Sequence, residues 1–155
     1  MLLMRRRIQD GYIYLTAVIL FVTATVEFSS AVGSTPILDW LDPLLPVSNR
    51  HVFMLGSLMD AGVSAFLFLG KERGAKVMLI GWLASIYVIY RAGLWWAGVP
   101  ILSCYMGNLT DRFPISVETL NHMAWGLLAW LFVGSHAVSL FDWISHRTLK
   151  FGQTQ

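Results

Sequence analysis

This sequence has little charge and one cysteine. Asp, Glu, Lys and Arg make up 13% of its 155 residues, against 56% hydrophobic ones, too little to coat an ordinary soluble domain. The single thiol, Cys104, excludes an intrachain disulfide and the C-x-x-C relay of a dithiol oxidoreductase. No H-E-x-x-H motif, phosphate-cradling glycine loop or soluble-type nucleophile–base triad occurs, so the familiar hydrolytic and nucleotide chemistries lack their residues. There is no internal repeat and no low-complexity tract. A net charge of +2 provides no basic footprint, and nucleic acid is not an expected partner.

What the chain has is apolar length. Four runs, about residues 11–31, 51–69, 77–97 and 119–141, each approach the ~20 residues needed to cross a hydrocarbon core of ~30 Å. None carries the polar stripe that a soluble four-helix bundle needs on every helix. The expected fold is all-α: one transmembrane four-helix bundle over residues 1–155, with the lipid bilayer as its first partner. Arg5, Arg6, Arg7, Lys71, Arg73, Lys76, Arg147 and Lys150 fall on one side of these spans, and only Arg50 and Arg112 on the other. The excess of cations marks the cytoplasmic side. Both termini are therefore expected in the cytoplasm of a bacterial-type cell, with loops 32–50 and 98–116 outside the inner membrane. The first run follows a basic stretch and ends in Ser29-Ser30-Ala31, a pattern shared with signal peptides, but it is long for one. It is expected to stay as the first span. The chain neither begins Met-Gly nor ends in a prenylation box, so no lipid anchor is expected.

Three charged residues lie inside the spans: Glu27, Asp60 and Arg91. Such groups are costly in a membrane and generally have partners. Glu27, near an outer end, either snorkels to the headgroups or joins an ion pair. Asp60 shares a face with Gly56 and Ser64, and Ser57, Ala61 and Ala65 repeat the same spacing, giving a small-residue surface for close helix approach. Arg91 is expected to pair with Asp60, Glu27 or both, as a structural clamp or part of an ion path. Tyr87 and Tyr90 are further partners for buried carboxylates. Residues 32–46 are apolar for a loop and are expected to form a short amphipathic segment on the outer surface, stopped by Pro43 and Pro46. His51 and His122, at outer ends of their spans, are candidate axial ligands for a haem. His136 has no opposing histidine, and no other cofactor is expected.

The chain is organised around residues 85–116, where the third run breaks at Pro100 and passes Cys104 in a Gly/Asn/Asp/Pro loop. An outward thiol meets an oxidising compartment and can form a mixed disulfide; a packed thiol does nothing. The segment YRAGLWWAGVPILSCYMGNLTDRFPIS, residues 90–116, with four spans and an acid in the second, resembles the DoxX/MauE group of small membrane proteins. In that resemblance Cys104 and Gly107 match the second cysteine and the glycine of a Cys-x-Cys-x-Gly loop. Leu102 replaces the first cysteine, and Asp60 stands where the group often has glutamate. The resemblance implies an accessory to redox or maturation chemistry at the outer face, with a thioredoxin-like or oxidoreductase partner, and Cys104 as the redox thiol. The missing cysteine removes the dithiol relay and favours the alternative, a non-catalytic small subunit of a larger membrane complex. A haem- or quinone-binding electron carrier is a third reading.

Overall fold

The computed structural model describes residues 2–34, 36–98 and 117–151. They form α1 (Leu2–Ala31), a 3-10 turn (Pro36–Asp39), α2 (Asn49–Leu69), α3 (Arg73–Trp96) and α4 (Val117–Phe151). Among the described residues the only β pairing is an isolated bridge between Leu41 and Ser48. Four stretches, Arg7–Ala31, Asn49–Leu69, Arg73–Trp96 and Asn121–Phe141, are long and apolar enough to cross a membrane. Two helices run past their expected ends. α1 takes in Arg5, Arg6 and Arg7, and α4 continues to Phe151 through a tail expected to be loose. Neither extension contains glycine or proline, so nothing in them breaks the hydrogen-bond ladder.

The helices pack antiparallel as a four-helix bundle. α1 lies along α2, and α3 along α4, while the two pairs meet at fewer points. The α1–α2 seam is built on small side chains: buried Ser64 donates to the Ala17 carbonyl at 2.8 Å. Small residues let two backbones approach closely without leaving a polar group stranded. Ala65, expected on this seam, instead faces outward. The buried face of α2 runs through Phe53, Ser57, Asp60, Ser64 and Leu67, steps of three and four that leave Ala65 one position off. Across the other diagonal, Tyr12 of α1 donates to the Leu131 carbonyl of α4 at 3.2 Å. Its ring stacks on Trp130 with centroids 5.3 Å apart, and the Trp130 Nε1–H reaches Thr16 Oγ1 at 3.3 Å.

The apolar core, including Ile13, Leu20, Leu67, Ile80, Leu83 and Leu131, fills the half of the bundle nearest the short α2–α3 link. That link turns at Gly70, whose N–H bonds the Phe66 carbonyl at 2.7 Å. A Cβ there would lie 2.7 Å from the same oxygen, so only glycine fits. The opposite half is polar inside and apolar outside. Glu27, Ser57, Asp60 and Arg91 are buried, while Phe28, Leu55, Leu58, Ile89 and Met123 are each more than half exposed.

At the α1–α4 contact, a Cβ on Gly134 would lie 2.5 Å from the Tyr12 ring, whereas one on Gly126 would meet nothing within 4 Å. Overpacking of this kind costs ~1–3 kcal/mol. Gly134→Ala is therefore expected to lower the thermal midpoint of the detergent-solubilised protein, and Gly126→Ala to hold or raise it. Equal midpoints for the two variants would contradict the Tyr12 contact.

Candidate functional site

The polar half of the bundle is centred on Asp60. On α1, Thr23 and Glu27 are four residues apart and share a face; on α2, Gly56 and Asp60 do the same. Tyr87 enters from α3. Its hydroxyl donates to Asp60 Oδ1 at 2.5 Å, and the Thr23 hydroxyl donates to Oδ2 at 2.8 Å. Both oxygens of a carboxylate that is only 3% exposed therefore receive a donor, one from each neighbouring helix. Tyr87 Oη also lies 3.5 Å from the Gly56 carbonyl oxygen.

Glu27 stands beside this arrangement: its Oε2 and the Tyr87 hydroxyl both border the space over Gly56. It is 8% exposed, and its buried Oε2 has no hydrogen-bond partner among the described residues. The carboxyl fits because α2 presents glycine there: a Cβ on Gly56 would sit 3.0 Å from Oε2. Glu27 also lines a cavity of about 100 Å³, together with Asn49, Phe53, Met59, Tyr87 and Tyr90. Leu45, another lining residue, comes from the α1–α2 connection.

That connection folds over the end of the bundle, with Leu38 buried and Trp40 and Leu41 exposed. Leu38 packs into a small cluster with Ala31 and Phe53. Asp42 Oδ1 accepts the N–H groups of Leu44 and Leu45, both at 2.8 Å, which turns the chain at Pro43. Tyr90 of α3 donates to the other oxygen of Asp42, and Leu44 rests against Gly93. Arg50 ties the start of α2 to the end of α1. It donates to the Ala31 and Gly33 carbonyls at 2.7 and 3.1 Å and pairs with Asp39 at 3.1 Å. The carbonyl at the end of a helix lacks an intrahelical partner, and the guanidinium supplies one.

The structure brings Glu27 and Asp60 together but sends Arg91 elsewhere. Arg91, 3% exposed, donates to Asn121 Oδ1 and lies over the Trp125 ring, 4.6 Å from its centroid. No ion pair joins it to either carboxylate among the described residues, which corrects the expected pairing. Tyr87 and Arg91 are one turn apart on α3. Tyr87 takes the turn facing Asp60, and Arg91 takes the next, facing the first turns of α4. Two uncharged hydroxyls thus do what a cation was expected to do.

The remaining candidates fall as follows. Cys104 and Gly107 lie outside the described residues. His51 Nδ1 is 2.7 Å from the hydroxyl of Ser48, whose side chain makes no capping bond to the helix backbone. Exposed His122 lies 3.9 Å from Glu118, one turn away on α4. Each imidazole is thus in contact with a side chain close to it in sequence. No group of three His, Cys, Asp or Glu side chains suited to a metal occurs among the described residues. Sequence reasoning missed Thr23, Asp42 and Asn121. The signals were present: Thr23 is one turn from Glu27, Asn121 is one turn from Trp125, and Asp-Pro at 42–43 favours a turn. Comparison with protein-family models, curated proteins and solved structures found no match.

Removing the Tyr87 hydroxyl leaves a buried carboxylate short of a donor, at a cost of ~1–3 kcal/mol. Tyr87→Phe is expected to destabilise the bundle by that amount. In an Asp60→Leu background the same change should cost much less, because the acceptor is gone. A double-mutant cycle on unfolding free energies measures the coupling, and additive costs would mean that the hydrogen bond contributes nothing. The same cycle on Arg91 and Asn121 should show coupling, and one on Arg91 and Asp60 should not.

Proposed function

We propose that this protein crosses a cell membrane four times, with both termini cytoplasmic, and acts as an accessory to redox or maturation chemistry at the outer face. The observation that carries the membrane reading is the reversed distribution of polarity. Carboxylates, a guanidinium and hydroxyls are inside the bundle, and its outward positions are Phe, Leu, Ile, Met and Val. Water would disfavour such a surface, whereas hydrocarbon matches it and forces polar groups inward onto one another. The excess of cations at the termini and the α2–α3 link supports the orientation. So does Arg50, one of only two cations expected outside, because Asp39 and helix carbonyls already hold its charge.

The accessory role is supported by the DoxX/MauE-like segment at residues 90–116 and its single thiol. With that orientation Cys104 faces the oxidising side. Alone it cannot pass two electrons through an internal disulfide, but it can join a thioredoxin-like or oxidoreductase partner through a mixed disulfide.

A membrane-impermeant maleimide applied to intact cells should label Cys104, and cysteines introduced near either terminus should label only after the membrane is opened. The reverse pattern would overturn the topology. Alkylation and trapping under non-reducing conditions should then recover a mixed disulfide that Cys104→Ser abolishes, along with the activity the partner supports. If Cys104→Ser keeps full activity, the thiol is packing, and a purely structural small subunit becomes the better reading.

A further inference from the structure

We propose that the α1–α2 connection is a releasable clasp: it holds α3 against α2 across a cavity, and its release lets the two helices part at that end alone. Neither Cys104 nor the orientation in the membrane enters into it. The starting point is where the two hairpins, α1–α2 and α3–α4, hold each other. α2 and α3 follow one another in the chain, yet they meet at few points. Near the α2–α3 link the hairpins share one packed core, with Ile13, Leu67, Ile80 and Leu131 in a single cluster. There Arg73 of α3 also pairs with Asp10 of α1 at 3.0 Å. Farther along, Tyr87 reaches across to Asp60.

Beyond Tyr87 the contact between the hairpins changes character. The cavity of about 100 Å³ lies there, with Val52 and Met59 of α2 on one side and Ile86 and Tyr90 of α3 on the other. Its lining is almost wholly apolar, and facing walls separated by a void lose the dispersion contacts that would hold them together. The connection supplies the fastening across this gap. Asp42 accepts the Tyr90 hydroxyl, Leu44 rests against Gly93, and Leu45 borders the cavity.

The clasp itself belongs to the first hairpin. The Asp42 and Asn49 N–H groups bond the Val47 and Trp40 carbonyls at 2.8 and 2.9 Å, and Arg50 secures the start of α2 to the end of α1. The connection therefore moves with α1 and α2 and grips α3 through a hydroxyl and a leucine side chain. Such a grip is broken and remade locally, whereas parting the helices at the link end would expose a packed core. Release opens the connection end, with the Tyr87–Asp60 contact as fulcrum, and joins the cavity to the surroundings of the bundle. Leu55, a lining residue more than half exposed, marks where the gap already reaches the surface.

The test uses the full chain in lipid nanodiscs, with Cys104→Ser as the background. Spin labels on Met54→Cys and Ile89→Cys report the connection end of α2 and α3, and labels on Leu69→Cys and Met78→Cys report the link end; all four positions are exposed. Adding Tyr90→Phe should lengthen and broaden the first distance distribution and leave the second unchanged. In separate single-cysteine proteins, Val52→Cys, at the cavity, should react with N-ethylmaleimide roughly tenfold faster once the Tyr90 hydrogen bond is lost. Val63→Cys, in the packed core, should keep its rate. If Tyr90→Phe does not fold, Leu44→Ala removes the contact with Gly93 instead and should move the same two readings in the same direction. An unchanged first distance, or equal changes at both ends, would overturn the proposal. So would equal acceleration at positions 52 and 63, or none at either.

Discussion

A carboxylate buried among helices must find its donors inside the protein, and the arrangement of this bundle follows from how Asp60 finds them. The donors come from two helices, Thr23 of α1 and Tyr87 of α3. Holding both requires α1 to lie close along α2, which the small side chains at Ala17 and Ser64 permit, and requires α3 to present an aromatic residue long enough to cross the remaining gap. Once Asp60 is held, Glu27, one turn from Thr23, sits against α2, where glycine at position 56 gives it room: a Cβ there would lie 3.0 Å from Oε2. A single polar requirement therefore fixes the relative height of three helices. Dispersion packing in the other half, around Ile13, Leu67 and Ile80, is far less selective about register, because apolar contacts are not directional.

The two halves of the bundle divide the work accordingly. Near the α2–α3 link, interior Leu, Ile and Val fill space. Toward the α1–α2 connection, the interior becomes a set of polar contacts around a cavity, and the connection folds over it. Asp42 is the pivot of that cover: one oxygen holds the turn at Leu44 and Leu45, and the other takes the Tyr90 hydroxyl. Tyr87 and Tyr90, nearly one turn apart on α3, thus serve one acid in the interior and one in the cap. This repeated pairing of a tyrosine with an aspartate satisfies buried anions without a second buried charge and its desolvation penalty.

Arg91 shows the same logic from the opposite sign. Its guanidinium is held by a neutral amide and an aromatic face on α4, so the third and fourth helices acquire their own polar fastening. The bundle then consists of two hairpins, each tied internally by a polar contact and joined to the other by Tyr87 and Tyr12. The depth of a charge was readable from its place in an apolar run. Its choice of partner was not, because depth leaves the rotation of the helix free.

The sequence alone determined what its composition and run lengths impose: four helices long and apolar enough for a membrane, acids in two of them, and tyrosines to meet those acids. These are one-dimensional properties, set by how many apolar residues separate the turns and where the few polar residues interrupt them. Thr23 and Asn121 were invisible as partners because a threonine or asparagine within a helix has several harmless uses. The side a residue faces depends on all four helices at once. Only the tertiary structure decided that Tyr87 and not Arg91 faces Asp60, that residues 36–48 fold into a cap, and that Glu27 Oε2 is buried against Gly56. The physical reason is that each outcome turns on rotations of about one residue step between neighbouring helices, and those are settled by packing across the bundle.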